Sequence, residues 1–172
     1  MKKMCLIVLI ICLISLTGCV KDDETSVISD GKKVNTDKMQ HKHCTRTASA
    51  KDDIEVSLNY DIYYTGDILN IVQSEEKVTS SKKENLDEYE KSYKKITTYY
   101  ENLQYYDMVV NRDEKTVSIK TTINYDKVDI GKLLDIEGEE DNVIENGKAK
   151  LDKWLELAKK FGAKCTEVTD EV

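Results

Sequence analysis

One segment of the chain alternates between apolar and polar residues from residue 54 to residue 64. A period of two over this length predicts a β-strand with one buried face. Its apolar members are Ile54, Val56, Leu58, Tyr60, Ile62 and Tyr64. Thr65-Gly66-Asp67 supplies a turn, and residues 68–78 predict a partner strand running back. The chain must therefore build an antiparallel sheet with one wet face, which excludes an all-helical fold.

A second periodic segment predicts an amphipathic helix, because its apolar residues recur at spacings of three and four. They are Leu86, Tyr89, Tyr93, Ile96, Tyr100 and Leu103. Ser81-Lys82-Lys83-Glu84 matches a capping box and predicts the start of the helix. The stripe suits either a coiled coil between two copies or packing on a sheet. We favour the sheet, because strands are predicted on both sides and complementary flanking charges are missing.

The remaining elements complete the predicted fold. Alternation predicts a second hairpin over residues 106–110 and 117–125, and residues 127–146 are interpreted as a loop with one helical turn at 130–134. The last helix is predicted to bury Leu151, Trp154, Leu155, Ala158 and Phe161 and to end at Gly162, before a short strand with Cys165. The prediction is an α+β fold: an antiparallel sheet built from two hairpins, with two helices packed on one face in a two-layer sandwich.

The N-terminus has the features of an export signal. Lys2 and Lys3 precede an uncharged run over residues 4–16, which is shorter than the roughly 20 residues of a membrane-spanning helix. The run ends in Leu16-Thr17-Gly18-Cys19, which resembles the lipobox of bacterial lipoproteins. The resemblance implies cleavage before Cys19 and a lipid on its sulfur. Membrane attachment through Cys19 and an extracytoplasmic location at the cell membrane follow as expectations, because several acyl chains give stable anchoring.

Three regions are therefore expected. Residues 1–18 form a lipoprotein signal peptide, residues 19–39 a lipid-anchored flexible tether, and residues 40–172 the α+β domain. The tether is predicted from its polar, unpatterned sequence, which carries too few apolar residues for an extra edge strand. We expect a monomeric ectodomain.

Two cysteines, Cys44 and Cys165, remain after the signal peptide and Cys19 are set aside. Outside the cytoplasm an even pair favours a disulfide, here between the first and last elements of the domain. The alternative is a pair of buried thiols, since a free cysteine behaves as a small apolar residue.

Two segments were considered for metal binding, and neither has the spacing that a metal requires. In His41-Lys42-His43-Cys44, a strand would place both histidines on one face and the cysteine on the other. The acidic segment over residues 135–141 imitates an EF-hand loop, but Gly138 stands in the fourth place of that loop and not the sixth. We expect no metal site and no cofactor.

The charge and the motifs restrict the function. A net charge of -7 argues against nucleic acid as a partner, because nucleic-acid binding depends on Lys and Arg. Neither a catalytic triad nor a phosphate-binding loop is recognisable, so we expect no enzyme and no catalytic residues. The sequence favours an envelope protein that binds a small ligand or a protein partner. The alternatives are a hydrolase that uses surface carboxylates and a structural or assembly lipoprotein.

Several of these features together resemble the YehR-like family of bacterial lipoproteins. The resemblance rests on Leu16–Cys19, on Cys44 at the start of the domain, on the strand and turn over residues 122–129, and on Gly162-Ala163-Lys164-Cys165. Asn124 departs from the Asp expected before Tyr125. The resemblance implies a small α+β fold in the bacterial envelope and carries over no catalytic residues.

Overall fold

A computed structural model describes residues 26–50, 53–138 and 142–169 of the protein. Within these ranges the chain forms ten strands and three helices. The strands are β1 (Ser26–Ser29), β2 (Lys32–Asn35), β3 (Gln40–Ala50), β4 (Ile54–Thr65), β5 (Ile68–Ser80), β6 (Tyr106–Arg112), β7 (Thr116–Asn124), β8 (Ile144–Glu145), β9 (Lys148–Ala149) and β10 (Lys164–Glu167). The helices are α1 (Lys83–Tyr100), α2 (Ile130–Glu137) and α3 (Leu151–Lys160).

Six of the strands form one antiparallel sheet in the order β10-β3-β4-β5-β7-β6. The predicted alternating strand is β4, and its turn leads into β5 as expected. Gly66 in that turn has a φ of 62°, a left-handed conformation that glycine adopts without steric cost. The second predicted hairpin is β6–β7. The described protein is thus mostly antiparallel sheet with three helices.

The helices cover one side of this sheet, which we call the helix face. Cross-strand pairing aligns Val56, Val78 and Val117 in one row on this face. Leu86 and Tyr93 of α1 pack against the row, so the predicted stripe lies on the sheet. α3 packs Trp154 and Ala158 on another part of the same face, beside Cys44 and Ile62. No described helix is long and apolar enough to cross a membrane.

The prediction of two hairpins and two helices was wrong in its count. The sheet has six strands because β3 and β10 join the two hairpins as a continuous edge. β3 carries His, Lys, Thr and Arg at most of its positions, so its sequence has little apolar alternation. The third helix is α2, which extends the predicted single turn to residue 137. Its first turn is capped by Asp129, whose carboxylate accepts a hydrogen bond from the Lys132 N–H at 3.2 Å.

Two helix details also differ from the prediction. The capping box does not form: Lys82 is the N-cap without a side-chain hydrogen bond, and Ser81 donates to the Asp53 carboxylate instead. The loop before β4 competes for Ser81, which sequence spacing alone does not reveal. At the end of α3, Phe161 is 61% exposed, although it was predicted to be buried. Phe161 is the C-cap, where the chain leaves the helix and no longer follows its buried stripe.

The predicted tether is folded from residue 26 onward. β1 and β2 pair as a small antiparallel hairpin around Asp30 and Gly31. Val27 is 2% exposed, because it packs against Tyr63 and Ile71 of the main sheet. The prediction failed because a few apolar side chains, with Val34 and Met39 beside Val27, dock the short hairpin on a complementary surface of the sheet. Residues 19–25 and the predicted signal peptide lie outside the described residues.

Candidate functional site

The side of the sheet opposite the helices, which we call the open face, is polar. The residues that alternate with the helix-face rows point here, and pairing places Asp61 beside Gln73 and Gln73 beside Thr122. A depression of about 470 Å³ lies over this row. It is lined by carboxylates, amides, hydroxyls and one amine, including His43, Asn59, Asp61, Gln73, Glu75, Lys120 and Thr122. Such a surface offers both hydrogen-bond donors and acceptors to a polar ligand.

Two histidines share one carboxylate at the edge of the depression. His41 and His43 alternate along β3 and therefore lie on the same face, as predicted. His41 Nε2 is 3.0 Å from Asp61 Oδ1, and His43 Nδ1 is 2.9 Å from the same oxygen. The His41 ring also stacks on Tyr63, with 4.5 Å between the ring centroids. Asp61 thus orients both imidazoles.

The three donors of the His41–Cys44 segment do not come together. Cys44 lies on the helix face, fully buried, with its sulfur 2.03 Å from that of Cys165. Across the described residues there is no group of three His, Cys, Asp or Glu side chains that could hold a metal ion. Asp135 and Glu137 of the acidic segment belong to α2, and residues 139–141 lie outside the described ranges.

The pairing of Cys44 with Cys165 joins β3 to β10. The two residues are direct cross-strand partners, and their Cα atoms are 4.0 Å apart. Further contacts hold the same strand: Glu167 accepts a hydrogen bond from the Tyr64 hydroxyl at 2.9 Å and forms an ion pair with Lys42. Lys42 and the Tyr64 hydroxyl hold the pKa of Glu167 below its usual range. The oxidation state of the two cysteines in the native host stays a prediction, as does the lipid on Cys19.

The β1–β2 hairpin packs on the open face of the sheet. Besides the contact of Val27 with Tyr63 and Ile71, the Asp30 N–H donates to Asp107 Oδ2 of β6 at 2.7 Å. The hairpin therefore crosses from the β4 side of the sheet toward the β6 edge. The hairpin thus covers part of the open face next to the row that holds the depression, and the sequence did not indicate it.

A second ionisable cluster lies under α2 on the helix side. Glu137 Oε1 is 3.4 Å from the Tyr100 hydroxyl and 3.3 Å from the Tyr106 hydroxyl, and the two rings stack with centroids 4.2 Å apart. The rings displace water from the carboxyl, which raises the pKa of Glu137 even though both hydroxyls act in the opposite direction. The hydrolase alternative calls for two facing carboxylates of raised pKa, whereas Glu137 faces tyrosines.

The open-face residues were not singled out in the sequence, although a signal for them was present. Asn59, Asp61, Thr122 and Lys120 occupy the polar positions of two strongly alternating strands. Alternation identifies the wet face of each strand, and antiparallel pairing then brings these positions together. Their convergence into one depression depends on strand order, which the sequence did not specify.

The fold has relatives among solved structures. The chain is similar to the NMR structure of the E. coli YehR protein, with a TM-score of 0.53 and 19% identity over 78% of this chain and 95% of that one. The described domain therefore has a YehR-like fold. It is also similar to an NMR structure of a protein from Streptococcus pneumoniae TIGR4, with a TM-score of 0.43 and 15% identity over 74% of this chain and 84% of that one. The sequence matches no protein-family model and no curated protein.

Proposed function

We propose that this protein is a lipid-anchored envelope protein whose domain binds a small polar ligand on its open face without catalysing a reaction. The observation that carries the proposal is the depression around Asp61, Gln73 and Thr122 on the open face, beside which the β1–β2 hairpin lies. The side chains of the open face that line the depression divide evenly between charged groups and neutral amides and hydroxyls, so the surface offers hydrogen-bond donors and acceptors of both kinds. Sugars, amino acids and short peptides present matching groups.

The anchor is supported by Leu16–Cys19 after the apolar run. If Cys19 carries lipid, only residues 20–25 separate it from β1, because the hairpin begins at Ser26. Whatever its conformation, a chain of that length spans at most about 25 Å, from 3.3–3.6 Å for each residue. The open face, with the hairpin on it, is therefore held close to the membrane and not at the end of a long tether.

The binding proposal is tested by thermal-shift screening of the purified full chain against sugars, amino acids, peptides, lipids and metal salts. A true ligand should raise the melting temperature in a concentration-dependent way, since it binds the folded state alone. Asp61→Asn and Gln73→Ala should abolish the shift. Glu55→Gln is the matched control, because Glu55 lies on the same strand and the same face as Asp61 outside the depression. A shift that persists in Asp61→Asn, or no shift with any compound class, contradicts the proposal.

The location is tested separately on protein from the native host. Mass spectrometry should find a lipid-modified Cys19 at the N-terminus, and Cys19→Ser should release the protein from the membrane fraction. Peptide mapping without reductant should recover Cys44 linked to Cys165. An uncut, unmodified N-terminus contradicts the anchor, and two alkylatable thiols contradict the disulfide.

A further inference from the structure

The outer edge of β3 is covered only in part. β10 pairs with residues Lys42–Thr45 of this strand, while β3 continues to Ala50. β10 begins at Lys164, opposite Thr45. The residues before Lys164 form the turn at Gly162 that connects β10 to the end of α3 on the helix face, so they do not extend the pairing beyond Thr45. Within the described part of the chain, no strand pairs with residues 46–50 on that side.

The direction of the backbone groups along this edge follows from two contacts. The Val168 N–H donates to the His41 carbonyl at 2.9 Å, so odd-numbered residues of β3 turn their backbone groups toward β10. The 4.0 Å separation of the Cys44 and Cys165 Cα atoms agrees, because it fits a non-hydrogen-bonded cross-strand pair. By this alternation, the N–H and C=O groups of Thr47 and Ser49 point outward, past the end of β10.

This edge lacks the usual protection against strand pairing. Residues Thr47–Ala50 carry no charge, no proline and no bulge, which are the features that normally block an edge. The opposite edge, β6, is better screened: Asp107 is engaged by the hairpin turn, and Arg112 lies 3.5 Å from both Asp87 and Glu90 of α1. The two edges of the same sheet are therefore not equivalent.

Two side chains near the unpaired part of the β3 edge indicate the chemistry of a partner that could bind there. Arg46 points to the helix face and forms no ion pair with another described residue. Phe161 is largely exposed, and it lies three residues before Lys164, the partner of Thr45. Three peptide units place the Phe161 Cα within about 11 Å of the Lys164 Cα. A cation without an ion pair among the described residues and an exposed ring thus lie near the start of the same unpaired backbone.

We propose that the edge of β3 from Arg46 to Ala50 binds an extended peptide segment of another protein, which adds to the sheet as an antiparallel strand beside β10. Main-chain hydrogen bonds to Thr47 and Ser49 supply the affinity, and alternate side chains supply the selectivity. The peptide carries an acidic residue for Arg46 and an apolar residue for Phe161.

A second copy of this chain fits the edge less well. Pairing of β3 with its own copy would use about five residues on each side, compared with roughly 20–30 residues a side in a stable interface. A flexible peptide needs less area, because it can follow the edge and reach Phe161 as well. The partner is therefore a peptide and not a homodimer.

The experiment pans phage-displayed random heptapeptides on the purified full chain, and the selected peptides are synthesised for titration. We expect enriched peptides with one acidic and one apolar position, and amide hydrogen exchange that slows at Thr47 and Ser49 when they bind. Thr47→Pro removes the outward N–H and should weaken binding about tenfold or more. Thr47→Val is the matched control, because it keeps the N–H and should bind within about twofold of the original chain.

Arg46→Glu provides a second variant if Thr47→Pro lowers the melting temperature. It leaves the backbone unchanged and should weaken the selected peptides about fivefold or more through charge reversal. The proposal is overturned if no peptides are enriched, if Thr47→Pro folds and binds as well as Thr47→Val, or if Thr47 and Ser49 are already protected in a dimer seen by sedimentation. Asp61→Asn should leave peptide binding intact, which separates this edge from the open-face site.

Discussion

The helix face and the open face belong to the same six strands, yet they are covered in different ways. On the helix face, three helices cover the apolar side chains of the sheet. The row of Val56, Val78 and Val117, for example, lies under α1. On the open face, a four-residue strand and its partner cover only the end near Ile71. The first arrangement supplies stability through buried apolar area, whereas the second leaves polar groups available to a ligand. Stability and the binding that we propose therefore belong to opposite sides of one sheet.

The largest effect is expected from the helix face. Leu86 in α1 is fully buried against Val78 and Val117, so Leu86→Ala should lower the free energy of unfolding by about 3 kcal/mol. Ile96→Ala in the same helix is the control and should cost less than about 1 kcal/mol, because Ile96 is 40% exposed. Urea denaturation measures both. Equal losses would show that α1 does not use this stripe to pack on the sheet.

A smaller, local effect is expected on the open face. Val27→Ala removes two methyl groups from the contact with Tyr63 and Ile71 and should weaken hairpin docking by about 1–2 kcal/mol. Amide hydrogen exchange of β1 and β2 should accelerate while β4 and β5 stay protected. Ile28→Ala, at a neighbouring position that is 58% exposed, should leave exchange unchanged. If β4 loses protection together with the hairpin, the two faces are not energetically separate.

The smallest effect concerns Glu137. Because the folded state raises its pKa, the folded protein keeps this proton to a higher pH than the unfolded chain does. The protonated Glu137 carboxyl contributes its full stabilisation of the folded state below the ordinary pKa of Glu. This stabilisation is lost as the pH rises through the raised pKa of the folded state. Glu137→Gln should remove that dependence. The change should stay below about 1 kcal/mol, since the two rings shield only part of the Glu137 side chain and solvent screens the rest.

Denaturant titrations between pH 3 and pH 7 measure this dependence. Glu156→Gln, an exposed carboxyl of α3, is the control. A Glu137→Gln protein whose unfolding free energy follows the same pH curve as the unchanged chain would show that the tyrosine cluster does not perturb the carboxyl.

The parts of the fold that could be predicted are those with a strong internal period. β4, the β6–β7 hairpin and the stripe of α1 follow from alternation or from three- and four-residue spacing, because each element buries one complete face. The full length of β3 could not be predicted from alternation, since its residues pair with two neighbouring strands but bury little apolar surface. The β1–β2 hairpin was missed because its docking depends on Tyr63 and Ile71, which are distant in sequence.

The candidate site was predictable only in pieces. The common face of His41 and His43 follows from strand geometry, but their shared partner Asp61 depends on the β3–β4 register. In the same way, the spacing of Phe161 continues the buried stripe of α3, and only the path of the chain into β10 exposes its ring.

The amino-acid sequence alone determines that the chain forms an antiparallel sheet with one apolar side and a covering amphipathic helix, because local periodicity states which face of each element avoids water. Tertiary structure decides the strand order, the hairpin on the open face, the depression around Asp61 and the uncovered half of the β3 edge. These features depend on which strands become neighbours and where each one ends, and such non-local pairings leave no repeating pattern in any single segment.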